Sequence, residues 1–439
     1  MINNQDEARR CLLCKKPFCS LKGCPVRTSV PECMALYREG RLDEAGKILF
    51  DNNPLSAVTS QVCDWKQFCF GHCVLNVKGE PIHWYSVEQE VSERYLFQYK
   101  LERDSTDKPW NDGMSLQAGD ASSPHGLSVG SVCGKRVAIV GAGPAGIAAA
   151  VWLYRSGADI DLYDANPRMG GVLRYGIPAF RLDKKFVDIY EKILDVPGIR
   201  FFGGKALGKD ILLNDLRRDY DAVLIAAGAE KPALLRIPGE DKPGVVEALH
   251  YLKDPGAYAL KGKRVIVIGG GNVAMDACRT AVRSGAETWV YYRKTFENMP
   301  ANPMEVEEAK ADGVRFRVFQ APIEVGDGYV IFRDCRNETD PETGKLVTKI
   351  LDGTDHEVPC DVLMPAISEK PDFGILAGVL WQPNVWGWPV TDESGRMGFQ
   401  DDSPANVWVA GDFTLGPKTV VEAVGSARAA VDGILSFLK

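Results

Sequence analysis

Four cysteines fall within fourteen residues, as Cys11-x2-Cys14-x4-Cys19-x4-Cys24, and a proline follows the last one. Three more come as Cys63-x5-Cys69-x3-Cys73. Thiols at this density serve disulfides, zinc or iron–sulfur clusters. A secreted disulfide protein spreads its bridges through a small domain. Here seven of the twelve cysteines, not counting Cys33, crowd between residues 11 and 73 of a 439-residue chain, while Cys133, Cys278, Cys335 and Cys360 are scattered. Zinc takes four N or S ligands per closed site, and two such sites are compatible with the count. A dense run closed by Cys-Pro is the habit of two-cluster ferredoxins, in which that last cysteine serves the other cluster. On that pattern Cys11, Cys14 and Cys19 hold one cluster and Cys24 belongs to a second. Cys33 lies in PECMALYREG, which reads as a helix with Cys33 on its buried side.

The second group of chemistry-bearing residues is a pair of glycine turns. KRVAIVGAGPAGIAAAVWLYRSGADIDLYD begins at Lys135, and KRVIVIGGGNVAMDACRTAVRSGAETWVYY begins at Lys263, an ungapped repeat at an offset of 128. Each copy reads as strand, glycine turn, helix and second strand, so the chain carries two nucleotide-binding units. In the first, Gly141 permits the tight turn, Gly143 lets backbone approach a pyrophosphate, and Gly146 lets the helix pack on the sheet. Pro144 and Ala145 open the helix, whose free N–H groups face phosphate. Asp164 ends the second strand, where a carboxylate accepts from a ribose hydroxyl.

In the second copy, Gly269, Gly271, Asn272, Val273 and Ala274 form the turn, with Ala274 in place of the third glycine. The counterpart of Asp164 is Tyr292, and Arg293 and Lys294 follow it. A carboxylate would repel a 2′-phosphate, whereas a guanidinium forks onto one. The second site is therefore expected to take NADP(H). Near the C-terminus, NVWVAGDFTLGPKTVVEAV is a strand, then Gly411-Asp412, then an apolar helix. That turn places Asp412 near the ribityl or phosphate groups of a flavin.

These sites need scaffolding that the rest of the sequence describes. PECMALYREG and RLDEAGKILFDNNP read as short helices punctuated by Gly40 and Pro54. YDAVLIAAGA and DVLMPAIS read as short strands ending in small residues, where the chain crosses between nucleotide domains. Apolar residues make up 45% and charged residues 25%, a globular balance, with a formal charge of −7. No run of Lys and Arg stands out, so nucleic acid is not an expected partner. MINNQDEARR lacks an apolar signal core, and a cytoplasmic protein is expected. Val137–Tyr154 carries no charge, but its glycines and proline make it a strand, turn and buried helix instead of a membrane span.

The Cys pattern, GAGPAG, GGVLRYGIPAFRL (170–182), GGGNVAMDA and AGDFTLGPKTVVEAV together span almost the whole chain. In these it resembles the glutamate synthase small subunit and its relatives. Those include the N-terminal half of dihydropyrimidine dehydrogenase and NADH-dependent ferredoxin:NADP oxidoreductase. The resemblance implies an α/β protein. An N-terminal α-helical domain with two 4Fe-4S clusters precedes two Rossmann-like domains, the NADP domain being inserted in the FAD domain. The implied boundaries are 1–100 for the helical domain, 101–134 for a linker, 135–245 and 366–439 for FAD, and 246–365 for NAD(P). It implies that Cys73 joins Cys11, Cys14 and Cys19, that Cys63 and Cys69 join Cys24, and that Glu88 supplies the eighth ligand, with Gln89 as the fallback. Gly170, Gly171, Arg181, Leu207, Thr419 and Val420 are implied at FAD, and Ala366 and Ile367 near the nicotinamide. The chain departs from its relatives at Asp64, where proline is common, and at Ser368, where glycine is common. It also lacks a second arginine near Pro300.

The expected activity is hydride exchange between NADP(H) and FAD, with electrons passed singly through the clusters to or from a partner subunit. No catalytic acid or base is expected, and none of the five histidines forms an evident triad. These three domains leave no room for a terminal substrate domain, so a partner is expected, and it is expected to dock near residues 1–100 because one-electron transfer needs a cluster close to the acceptor. Its identity is open among a glutamate synthase large subunit, a pyrimidine-reducing subunit and an electron-bifurcating complex. Two other classes compete. A thioredoxin-reductase-like enzyme needs a C-x-x-C beside the flavin, but Cys278 stands alone there. A zinc-stapled flavin-binding scaffold would transfer no electrons.

Overall fold

A computed structural model describes residues 2–77, 79–104, 132–344, 346–400 and 406–439. The chain divides into two compact units, the first of 1–173, 179–229 and 371–439, the second of 174–178 and 230–370. Residues 230–245 and 366–370 thus group with the second unit.

The first unit opens with short helices. Asn4–Arg10 is capped by the Asn3 side chain, which accepts from the N–H groups of Gln5 and Asp6. Val30–Arg38, with Pro31 in its first turn, and Leu42–Asn52 form where the spacing predicts helices, and Gly40 sits between them at φ +74°. The helix Trp84–Asp104 covers them. Trp84, Val87 and Val91 pack with Val30, Met34, Tyr37 and Leu49 in one core. The helix runs through Asp104, into the segment read as linker; 105–131, the bulk of it, lies outside the described residues.

The rest of this unit is a five-stranded parallel sheet. Its order is Val407–Val409, Ala222–Ile225, Arg136–Val140, Asp159–Asp164, Ile199–Gly203. That is half of a doubly wound fold, with the glycine turn at the switch point of strand order. The helix Pro144–Arg155 is buried almost throughout, because sheet lies on one side and the C-terminal helix Val420–Leu438 on the other. The uncharged run from Val137 is thus split by a turn. Among the described residues, no helix is long and apolar enough to cross a membrane. Helical layer and sheet are tied directly: Trp152 Nε1 donates to Asp51 O at 3.1 Å and Tyr190 Oη to Pro54 O at 2.6 Å.

The second unit carries its own parallel sheet, in the order Val362–Pro365, Arg264–Ile268, Glu287–Tyr292, Arg315–Val318. Between its last two strands in sequence lies an antiparallel sheet that the sequence analysis did not find. Tyr329–Thr339 pairs with Gln320–Val325, Leu346–Ile350 and His356–Pro359.

Candidate functional site

The cysteines line two cavities. Cys11, Cys14, Cys19 and Cys73 surround the first, with Leu12, Phe18 and Ile82. Cys24, Cys63, Cys69 and Glu88 surround the second, with Thr28, Thr59 and Val421. Val30, Cys69 and Trp84 line both, so the cavities lie back to back. Local structure explains the placement. Arg38 donates through Nε to Ala8 O at 2.7 Å and through Nη2 to Cys11 O, holding the end of the first helix where Cys11 begins the loop. Trp84 and Glu88 are one helical turn apart and face the same way. Trp65, in the Cys63–Cys69 loop, stacks on Tyr85 with centroids 4.3 Å apart.

Other candidate ligands are engaged elsewhere. Cys33 is 1% exposed and directs its Sγ toward Ala45 O. Gln89 donates through Nε2 to Glu93 Oε1 at 2.8 Å. None of the twelve cysteines is bridged. Burial pushes the Cys19 thiol up to about 11 and the Glu88 carboxyl up to about 8. Cys24, Cys63 and Cys69 are raised by burial first, then by their anionic neighbours, Glu88 among them in each case. These are thiols and a carboxyl whose ionisation burial opposes, and among the described residues no Lys or Arg lines their cavity, so a positively charged metal cluster is what would hold them deprotonated. Among the described residues, no three His, Cys, Asp or Glu converge on a point that suits one metal ion. The donors are instead spread around two cavities. Thr28 Oγ1 lies 3.4 Å from Cys24 Sγ, a hydrogen-bonding neighbour of the kind that tunes a cluster.

The first glycine turn is built for close approach. Gly141 has φ +104°, and a Cβ there would lie 2.2 Å from Ala226 O. A Cβ at Gly146 would lie 1.8 Å from Gly141 O. Gly143 caps the helix without any side-chain hydrogen bond, so the first-turn N–H groups near Pro144 and Ala145 are not capped by the chain. Asp164 is buried; Oδ2 accepts from Ala142 N and Oδ1 from Asn166 N, each at 2.7 Å. Oδ1 also accepts from Asn166 Nδ2 at 3.1 Å, so Oδ2 is the oxygen with a lone pair left for a hydroxyl. Gly170 donates to Ala142 O at 2.7 Å, and Gly171, at φ +49°, crosses directly over Gly143. Gly411, at φ +66°, brings its turn against Ala145, and its N–H donates to Ser426 Oγ at 2.6 Å. Asp412 Oδ1 accepts from Lys418 N at 3.2 Å. Thr419 and Glu422 form a capping box at the start of the C-terminal helix, at Val420. Arg181 is half-buried on this unit. Leu207 packs into the core with Val140, Val223 and Ile225, which leaves only its backbone for a ligand.

The second turn repeats the first with one exchange. Gly269 has φ +146°, and a Cβ there would lie 2.2 Å from Ala366 O, matching Gly141 and Ala226. Gly271 is again a helix cap without a side-chain bond. Ala274 is fully buried, Val273 packs partly on the core, and Asn272 Oδ1 accepts from Asn302 N at 3.2 Å. Where Asp164 binds Ala142 in the first copy, the Tyr292 ring lies against Gly270, 2.9 Å from where a Cβ would stand. Arg293 follows it, exposed and without an ion pair among the described residues; Lys294 O accepts from Phe319 N at 3.3 Å. Ala366 is buried beside the turn, whereas Ile367 is 38% exposed. Ser368 has φ +127°, a conformation that favours glycine.

Residues 135–427 match the pyridine nucleotide-disulphide oxidoreductase family, and residues 2–101 match dihydropyrimidine dehydrogenase domain II, 4Fe-4S cluster. The glutamate synthase (NADPH) small chain of Escherichia coli strain K12 is 32% identical over 455 residues, 99% of this chain and 91% of that one. The chain belongs to the glutamate synthase small-subunit family. It is an NAD(P)H-dependent oxidoreductase of the FAD and 4Fe-4S type, an electron-transfer subunit. The family's reach is wider than one enzyme. The NADP(+)-dependent formate dehydrogenase subunit beta of Moorella thermoacetica is 31% identical over 97% of this chain and 61% of its own length. Mycobacterium tuberculosis FprA in complex with NADPH superposes with a TM-score of 0.58 at 22% identity, over 69% of this chain and 84% of that one, which shows a shared fold.

Proposed function

We propose that this small-subunit-family chain exchanges hydride between NADP(H) and FAD and relays single electrons through two 4Fe-4S clusters to or from a partner protein. The observation that carries this reading is the back-to-back pair of cysteine-lined cavities. The second of them touches Val421, on the helix that Thr419 caps beside the flavin turn. Cys11, Cys14, Cys19 and Cys73 would hold one cluster; Cys24, Cys63, Cys69 and Glu88 the other. The backbone of Gly141–Gly146 would cradle the FAD pyrophosphate, with Asp164 on its ribose. Arg293 and Lys294 would hold the 2′-phosphate of NADP(H).

Flavin and clusters supply the redox chemistry, two electrons at one and single electrons at the others. The protein binds, orients and insulates. Burial around Cys69, Trp84 and Val30 keeps water out of the space between the two cluster sites. The sites for phosphate are backbone N–H groups fixed by helix geometry, so they need no reorganisation on binding.

The partner would dock on residues 1–100, where the first cluster site lies. The test is activity of the purified chain. It should oxidise NADPH with artificial dyes, yet make neither glutamate nor dihydrouracil until a partner subunit is added. Turnover of either substrate by the chain alone would contradict an electron-delivering role.

A further inference from the structure

The two cavities differ in what closes them. No residue lining the second is exposed. Two residues lining the first are: Leu12 at 62% and Phe18 at 44%. Leu21, one turn beyond Phe18, is 51% exposed. Leu12 and Phe18 therefore stand in solvent a single side-chain layer above the cavity, and Leu21 is exposed beside Phe18 on the short helix Phe18–Leu21 that carries Cys19. Along this stretch of chain the charge is one-signed. Between Ala8 and Pro31 the chain has six Lys or Arg and no Asp or Glu, in a protein of formal charge −7. Arg9 and Arg10 are paired with Asp6 and Glu7. Lys15, Lys16 and Lys22 are exposed and make no ion pair among the described residues; Lys22 Nζ lies 4.8 Å from the Phe18 ring centroid.

Resting on the function proposed above, we propose that Leu12, Phe18 and Leu21, rimmed by Lys15, Lys16 and Lys22, form the docking face for an acidic one-electron carrier protein. An apolar centre excludes water over the shortest exit from the first cluster site, and the lysine rim steers and orients a negative surface. A second copy of this chain is the less suitable occupant, since a hydride-fed subunit gains nothing by passing electrons to its twin. The stoichiometry is fixed: one NADPH yields NADP+, one proton and two electrons, and two oxidised carrier molecules each accept one electron.

The test uses the full-length holoprotein with NADPH and three acceptors. They are oxidised rubredoxin, a small acidic one-electron carrier; cytochrome c, a basic one; and a neutral benzoquinone. The prediction for Lys15→Glu/Lys16→Glu/Lys22→Glu is a loss of roughly tenfold or more in kcat/KM for rubredoxin at low salt, from lost steering. Cytochrome c should gain, quinone should not change, and iron, sulfide and FAD contents should stay at wild-type levels. With the unaltered protein, rubredoxin reduction should slow as salt is raised toward physiological strength and above. That second measurement needs no variant to fold. Rubredoxin rates insensitive to both salt and charge reversal, with quinone reduction intact, would overturn the docking face alone. So would a change in self-association on charge reversal without any change in the rubredoxin rate. Failure to reduce any of the three acceptors would overturn the electron-carrier reading beneath it.

Discussion

Gly425 offers the sharpest perturbation of the internal electron route. It lies on the C-terminal helix, and a Cβ there would stand 3.0 Å from Pro25 O and 3.4 Å from Pro25 C. Pro25 directly follows Cys24, a proposed ligand of the second cluster, and the same helix begins at the proposed flavin turn. The missing side chain thus sets how closely the cluster loop approaches the flavin helix. Alanine asks the loop to give by a few tenths of an ångström. Leucine demands a backbone shift of the overpacking kind, costing about 1–3 kcal/mol in stability. Displacement of a reacting centre on the order of 1 Å costs up to about 100-fold in rate. We therefore expect Gly425→Leu to slow flavin-to-cluster transfer by roughly 10- to 100-fold, with Gly425→Ala between it and the parent. The assay is anaerobic stopped-flow with NADPH, following flavin bleaching and the broad cluster absorbance separately. Flavin reduction should keep its rate while cluster reduction lags. A leucine variant with full FAD and iron contents and an unchanged cluster rate would refute the reasoning.

Arg293→Glu should weaken NADPH use by about 2–3 kcal/mol in kcat/KM, from one lost charged hydrogen bond and one added repulsion, and NADH use by less; equal losses would show that Arg293 does not read the 2′-phosphate. Glu88→Ala should remove the iron and sulfide of one cluster, and Glu88→Cys should retain it; full iron with an unaltered low-temperature EPR signal in the alanine variant would take Glu88 off the ligand set. Ser368→Gly should raise stability by about 1 kcal/mol, since relief of the φ +127° strain outweighs the entropy glycine adds to the unfolded chain. A lower thermal midpoint for that variant would show that the Ser368 hydroxyl bond to Glu369 O, at 3.3 Å, matters more than the strain.

Much of this was legible because backbone chemistry repeats. Gly141 and Gly269 are matched in the sequence by an offset alone, and in the structure both have positive φ and at both an added Cβ would stand 2.2 Å from an alanine carbonyl oxygen. Only glycine fits such a turn, so the repeat in letters is a repeat in geometry. The Cys33 helix face and the pairing of Gly40 with its helix end were readable from apolar periodicity for the same reason. The antiparallel sheet was missed although its signals were present. Gly326-Asp327-Gly328 lies between QAPIEV and YVIFRD, a turn between two β-rich runs, and Val330 and Phe332 alternate buried positions. The Asp164 network was not legible at all: a carboxylate accepting two of its own chain's N–H groups depends on a loop crossing that no pattern of letters encodes. The lysine rim escaped because its charges are interleaved with cysteines and apolar residues instead of forming a run.

The central claim is that NADPH electrons pass through a flavin into two iron–sulfur clusters held by residues 1–100. The most direct test is the visible spectrum of the anaerobically purified chain before and after NADPH, with iron, sulfide and FAD measured on the same sample. The account predicts flavin peaks over a broad brown absorbance, two cubanes' worth of iron and sulfide per FAD, and bleaching of both on NADPH addition. A yellow protein without labile sulfide, or a brown one whose cluster absorbance stays fixed while the flavin bleaches, would contradict it.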